Sequence, residues 1–150
     1  MSETQDIGAQ QSLKGRCLCG SVQFTAAPQS RDMNACHCVM CRRWSAGPFL
    51  AVDCGDTVRY DSDDGLAFYP SSEWGERGFC KNCGTSLIWK MQGRPECHVS
   101  TQAFEEAGGF TLTSEIFVDE KPEGYAFAGD IKKMTGPEVI AAFMQEQEGA

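Results

Sequence analysis

What this chain lacks narrows its role before any motif is read. It has no surplus of basic residues, because 13 Lys and Arg stand against 21 Asp and Glu, for a formal net charge of −8. Nonspecific nucleic-acid binding needs a basic footprint, so no nucleic-acid partner is expected. It has no run of about 18 apolar residues, so no membrane-spanning helix is expected. The opening stretch MSETQDIGAQQS is polar and lacks the apolar centre of a secretory signal, which points to the cytoplasm and to reduced thiols. It has no repeats, linkers or low-complexity runs, and 150 residues suit one domain. Nine cysteines is an odd count, so a closed disulfide framework is not expected and metal binding or catalysis becomes the default.

What is present suits a mostly β globular domain. The hydrophobic content of 41% and aromatic content of 10% can supply a core without disulfide staples. Short segments rich in β-branched and aromatic residues recur: SVQFTA, PFLAVDC, TVRYDS, LAFYPSS, SLIWKM, CHVSTQAF and LTSEIFVDE. Gly, Pro, Asp and Ser clusters separate them, which predicts short antiparallel strands. Near the end, TGPEVIAAFMQEQ reads as a helix. Thr135 and Glu138 have capping-box spacing, Pro137 fits a first turn, and Val139, Ile140, Phe143 and Met144 would share one face. Residues 1–12 read as a flexible tail.

Seven of the nine cysteines fall into three clusters: Cys17 and Cys19, then Cys36, Cys38 and Cys41, then Cys80 and Cys83. Glycine follows each outer pair, at Gly20 and Gly84, where the backbone must turn under the sulfurs. Zinc takes four ligands in a closed structural site and often three plus an open position in a catalytic one. Seven thiolates therefore divide simply into four and three. Cys17, Cys19, Cys80 and Cys83 would form the closed site, and such a site can contribute about 10–16 kcal/mol of apparent folding free energy. Cys36, Cys38 and Cys41 would hold a second zinc through one short loop. A redox role for CVMC or CKNC competes with this reading but leaves the other clusters unexplained. Cys54 and Cys97 read as small buried hydrophobes, although the Cys97-His98 pair could complete the second site. His37, between two of the three cysteines, would point away from the metal in a locally extended loop.

The order GRCLCGSVQF, then CHCVMCRRWSAGPF, then RGFCKNCGTSLIW resembles the GFA family, also called the CENP-V/GFA domain, whose namesake is the glutathione-dependent formaldehyde-activating enzyme, S-(hydroxymethyl)glutathione synthase. The resemblance is strongest over Gly15–Trp89 and extends more weakly to Met134. It implies an Mss4-like zinc-binding fold over 13–134, with 135–150 as a helical extension. It also implies that Cys17, Cys19, Cys80 and Cys83 are structural zinc ligands and that Cys36, Cys38 and Cys41 hold a catalytic zinc. Three departures stand in the C-terminal half. Glu115 occupies a position that is often histidine in the family, Tyr125 one that is often tryptophan, and Ile131–Met134 replace a closing L-P-x-F.

The expected chemistry follows from the donor set. Three thiolates make a divalent ion a weak Lewis acid, better suited to holding a substrate thiol in its deprotonated form. Attack of that sulfur on an aldehyde gives a hemithioacetal, and the reverse reaction is a carbon–sulfur lyase step. Glutathione carries two carboxylates, for which Arg42 and Arg43 are the expected contacts. Trp44 and Phe49 read as core packing or as a pocket wall. The alternative is a non-enzymatic zinc-stabilised binding or scaffold module.

Overall fold

The computed structural model describes residues 11–149, with side chains through Glu146. The expected tail lies outside the described residues, except for Gln11 and Ser12. The elements in chain order are β1 (Leu13–Arg16), β2 (Val22–Ala26), β3 (Asp32–Cys36), α1 (Val39–Ser45), β4 (Phe49–Asp53), β5 (Arg59–Asp63), β6 (Leu66–Pro70), β7 (Gly75–Cys80), β8 (Ser86–Met91), β9 (Cys97–Ser100), β10 (Thr111–Ile116), β11 (Lys132–Met134) and α2 (Gly136–Gly149). The mostly β fold with a C-terminal helix is as the sequence predicts. All seven predicted strand segments contain a strand. CHVSTQAF and LTSEIFVDE each end in a 3-10 turn, at Thr101–Ala103 and Val118–Glu120. No described helix is long and apolar enough to cross a membrane.

The chain groups into two compact units. One comprises residues through Met33 together with Ala51–Thr111, and the other comprises Asn34–Leu50 and the chain from Leu112 onward. In the first unit β1, β2 and β5 form an antiparallel sheet, and a second run of strands follows the order β4, β9, β8, β7, β6. Alternation explains β2, in which Val22, Phe24 and Ala26 are buried while Gln23 faces solvent. Phe24 packs edge-on against Phe104, with ring centroids 5.6 Å apart, and Phe104 lies the same distance from Phe110. Val52, Leu87, Ile88 and Val99 complete this core with the lone thiols Cys54 and Cys97, which are buried small hydrophobes as expected.

In the second unit β11, β10 and β3 are neighbours. β10 and β11 pair in parallel, matching Glu115 with Lys133, so the pairing is mixed rather than wholly antiparallel. α2 begins with the expected capping box. The Thr135 N–H donates to Glu138 Oε1 at 2.8 Å, and the Glu138 N–H donates to Thr135 Oγ1 at 3.3 Å. The expected apolar face splits. Val139 and Phe143 are partly covered, whereas Ile140 and Met144 are about half exposed.

Gly15 on β1 faces Phe24 on β2, and a Cβ there would sit 2.4 Å from the tip of the Phe24 ring. The ring cannot retreat without leaving the core. Gly15→Ala is expected to cost about 1–3 kcal/mol in a urea titration, whereas Gly108→Ala, with open space around it, should change stability little.

Candidate metal centres

The first centre lies in the first unit, on two turns between paired strands. Cys17 and Cys19 occupy the turn after β1, Cys80 ends β7, and Cys83 lies in the turn before β8. Gly20 and Gly84 both adopt left-handed backbone, with φ of +87° and +84°, as a turn under sulfurs requires. All four sulfurs lie within 4.8 Å of one another. Cys19 Sγ is 3.8 Å from both Cys17 Sγ and Cys80 Sγ. Four sulfurs bound to zinc at about 2.3 Å in a tetrahedron have edges of about 3.8 Å, so the spacing fits that ion.

Backbone and hydroxyl groups surround these sulfurs. The N–H of Val22 donates to Cys17 Sγ at 3.3 Å, and that of Cys83 donates to Cys80 Sγ at 3.4 Å. Ser21 Oγ lies 3.1 Å from Cys19 Sγ and 3.3 Å from Cys80 Sγ, and Thr85 Oγ1 lies 3.2 Å from Cys83 Sγ. The Thr85 hydroxyl is the main reason that the Cys83 thiol falls to about 5. Burial pushes Cys80 up, but Ser21 and the local N–H groups outweigh it and the thiol is lowered. Ser21 also favours the Cys19 thiolate, yet burial and the neighbouring thiols leave Cys19 raised. The protein thus stabilises some of the four thiolates itself. Ionising all four needs a central cation.

The second centre lies in the second unit and comes from one short stretch. Cys36 ends β3, Cys38 is the N-cap of α1, and Cys41 sits in its first turn. All three are buried, with sulfurs within 4.8 Å of one another. The Cys41 N–H donates to Cys38 Sγ at 3.3 Å. Cys36 is driven far above the ordinary thiol range by Cys38 and Cys41 and then by burial. Three buried sulfurs this close cannot all ionise without a cation, so this donor set also fits zinc. Among the described residues no fourth His, Cys, Asp or Glu joins the cluster. Cys97 and His98, once candidates to complete it, lie on β9 of the first unit.

His37 is completely buried. Its Nε2 lies 2.8 Å from Glu115 Oε1, and its Nδ1 lies 3.0 Å from the Tyr125 hydroxyl. The Phe127 ring is 5.9 Å away, centroid to centroid. Glu115 and Tyr125 therefore meet on the histidine between two of the three cysteines. Arg42 and Arg43 diverge. Arg42 Nε donates to the His37 carbonyl at 2.9 Å and Nη2 to the Glu120 carbonyl at 3.1 Å, while Arg43 is exposed. Glu120 Oε1 also accepts from the Val39 N–H at 2.9 Å. Trp44 is half-buried and its ring lies 5.1 Å from the buried Phe49 ring, centroid to centroid.

Sequence reasoning missed Ser21 and Thr85, although a signal was present. Each outer pair runs on into Gly and then a hydroxyl residue, CGS in one case and CGT in the other. It also missed Glu115 and Tyr125 as partners of His37, and no local signal marks them.

Anaerobically prepared protein is expected to bind two zinc ions per chain by elemental analysis, and one would overturn the four-plus-three division. Cys38→Ser should keep one zinc and a cooperative thermal transition. Cys80→Ser should lose the four-sulfur metal and most of the stability.

The family described as glutathione-dependent formaldehyde-activating enzyme (GFA) matches residues 12–120. A Schizosaccharomyces pombe protein named as an uncharacterized lyase is 30% identical over 133 residues, covering 88% of this chain and 97% of that protein. A Halomonas elongata protein named as a candidate glutathione-dependent formaldehyde-activating enzyme is 30% identical over 91 residues, covering 55% of this chain and 57% of its own length. The crystal structure of a Rhodobacter sphaeroides protein superposes with a TM-score of 0.55 at 21% identity, covering 82% of this chain and all of that one, which bears on the fold alone. With the family match spanning most of its length, the chain belongs to the GFA family.

Proposed function

We propose that this protein is a carbon–sulfur lyase that joins a small thiol to an aldehyde and separates them again, as S-(hydroxymethyl)glutathione synthase does with glutathione and formaldehyde. The observation that carries this reading is the buried set of Cys36, Cys38 and Cys41, which no fourth ligand among the described residues completes. The names of the family and of the Halomonas relative support thiol and aldehyde substrates. A zinc ion held by these three sulfurs would supply an open position at which a substrate thiol loses its proton. The net reaction adds R–SH across C=O. One C–S bond forms and the carbonyl becomes a hydroxyl, and the reverse restores both.

The chain's own residues divide the remaining work. Arg42 holds the three-cysteine loop through its bonds to the His37 and Glu120 carbonyls. Arg43, exposed in the last turn of α1, offers its guanidinium to a substrate carboxylate. That contact matters on a chain of net charge −8, which would otherwise repel an anionic thiol. Seven sulfurs serving as ligands need a reducing compartment, so the cytoplasm is the proposed place of action.

Exchange NMR of formaldehyde with glutathione, with and without the protein, tests this reading. Acceleration is expected for glutathione, and unchanged exchange with every thiol tried would favour a zinc-stabilised binding module. Arg43→Ala should raise the half-saturating glutathione concentration about tenfold, the worth of one charge-assisted contact. The same variant should leave 2-mercaptoethanol, which has no carboxylate, unaffected.

A further inference from the structure

The two turns that carry the four-sulfur centre are built alike. Each runs from a cysteine into a left-handed glycine and then a hydroxyl residue, Ser21 in one and Thr85 in the other. Each hydroxyl residue directly precedes a strand, β2 or β8. The backbone repeats the pattern. The Gly20 N–H donates to the Cys17 carbonyl at 3.2 Å, and the Gly84 N–H donates to the Cys80 carbonyl at 2.7 Å. The N–H groups of Cys17 and Cys80 donate to the carbonyls of Val22 and Thr85, both at 3.0 Å.

The contacts of each hydroxyl cross from one turn to the other. Thr85 Oγ1 accepts the N–H of Leu18, which lies between Cys17 and Cys19, at 3.0 Å. Ser21 Oγ accepts from Nδ2 of Asn82, which lies between Cys80 and Cys83, at 3.1 Å. A hydroxyl has one proton, and a donor seated on its oxygen leaves that proton to point elsewhere. A sulfur that binds zinc is a thiolate and only accepts. The Thr85 proton therefore lies toward Cys83 Sγ at 3.2 Å, and the Ser21 proton lies between Cys19 Sγ at 3.1 Å and Cys80 Sγ at 3.3 Å. Gly65, between β5 and β6, joins both turns. Its N–H donates to the Ser21 carbonyl at 3.2 Å, and its carbonyl accepts the Lys81 N–H at 2.7 Å. A Cβ there would lie 2.4 Å from Ser21 Oγ, 2.8 Å from Cys80 Sγ and 3.2 Å from Asn82 Nδ2. The hairpin thus gives up a side chain where one would displace Ser21 from its sulfurs.

We propose that Ser21 and Thr85 are reciprocal latches, each anchored by the opposite turn and each closed onto sulfur, that retain zinc in the four-sulfur centre. The need for them lies in exposure. Cys17 and Cys80 are buried, but Cys19 is exposed and Cys83 is half-buried, and each latch reaches one of these accessible sulfurs. A hydrogen bond to a ligand stabilises its thiolate form and fixes its direction, so the ligand leaves the ion less readily. The latches do not depend on the lyase reading, although a thiol substrate is one of the competitors they keep off the ion.

The test is loss of zinc from the full zinc-loaded chain to an excess of a chromophoric chelator, followed by absorbance. Repeating it in Cys38→Ser, which is expected to carry only the four-sulfur ion, identifies the phase that belongs to this centre. Ser21→Ala and Thr85→Val should each release that ion about tenfold faster, the effect of one hydrogen bond to a charged group. Thr85→Ser keeps the hydroxyl and should release the ion at the native rate. Asn82→Ala, at an exposed position, should speed release by a smaller factor and add nothing to Ser21→Ala, because the amide acts through that hydroxyl. If Ser21→Ala or Thr85→Val cannot be prepared with two zinc ions, the Asn82→Ala and Thr85→Ser rates decide. Native release from Ser21→Ala or Thr85→Val, fast release from Thr85→Ser, or an Asn82→Ala rate that equals the native one or still rises without Ser21 would each overturn the proposal. None of these rates bears on whether the chain accelerates thiol–aldehyde exchange, so the lyase reading stands or falls separately.

Discussion

Sulfur crowding is the constraint on which the rest of the structure depends. Thiols packed within 4.8 Å of one another resist ionising together, and a divalent cation removes the conflict. In the four-sulfur centre the 3.8 Å spacing of Cys19 from Cys17 and Cys80 already has the edge length of a zinc tetrahedron. Such a centre ties residues far apart in sequence and offsets the loop-closure entropy that their approach costs. The left-handed glycines, the donated N–H groups and the hydroxyls of Ser21 and Thr85 all serve that geometry.

The three-sulfur centre obeys the same electrostatics with a different topology. Its ligands come from a strand end, a helix N-cap and the first helical turn of one segment. Local chain geometry alone brings them together, so the remote chain is free to supply the surroundings instead. Glu115 and Tyr125 flank His37, and Glu120 anchors both Arg42 and the start of α1. A site assembled this way can keep its ligands while its neighbours vary, which allows one family to carry more than one substrate preference.

Arg42 and Arg43 show how a single residue step along a helix decides a role. Successive side chains on a helix point about 100° apart. Arg42 therefore turns toward the His37 and Glu120 carbonyls, and Arg43 turns toward solvent. The sequence presents them as an equivalent pair, and no periodicity in so short a helix separates them.

Much of this protein was legible without coordinates. The spacing of the cysteines divides them into four and three because tight turns aim near neighbours at one point. Alternation marks β2, and a capping box marks the start of α2. The parallel pairing of β11 was not legible, because Lys132–Met134 carries no strand pattern of its own and is held by β10. The burial of His37 was not legible either, since its partners lie 78 and 88 residues away. By itself the sequence determined which atoms can bind metal, because ligand identity and close spacing are local properties. Only the tertiary structure decided what surrounds those atoms, because burial and hydrogen-bond partners depend on segments that meet only when the chain folds.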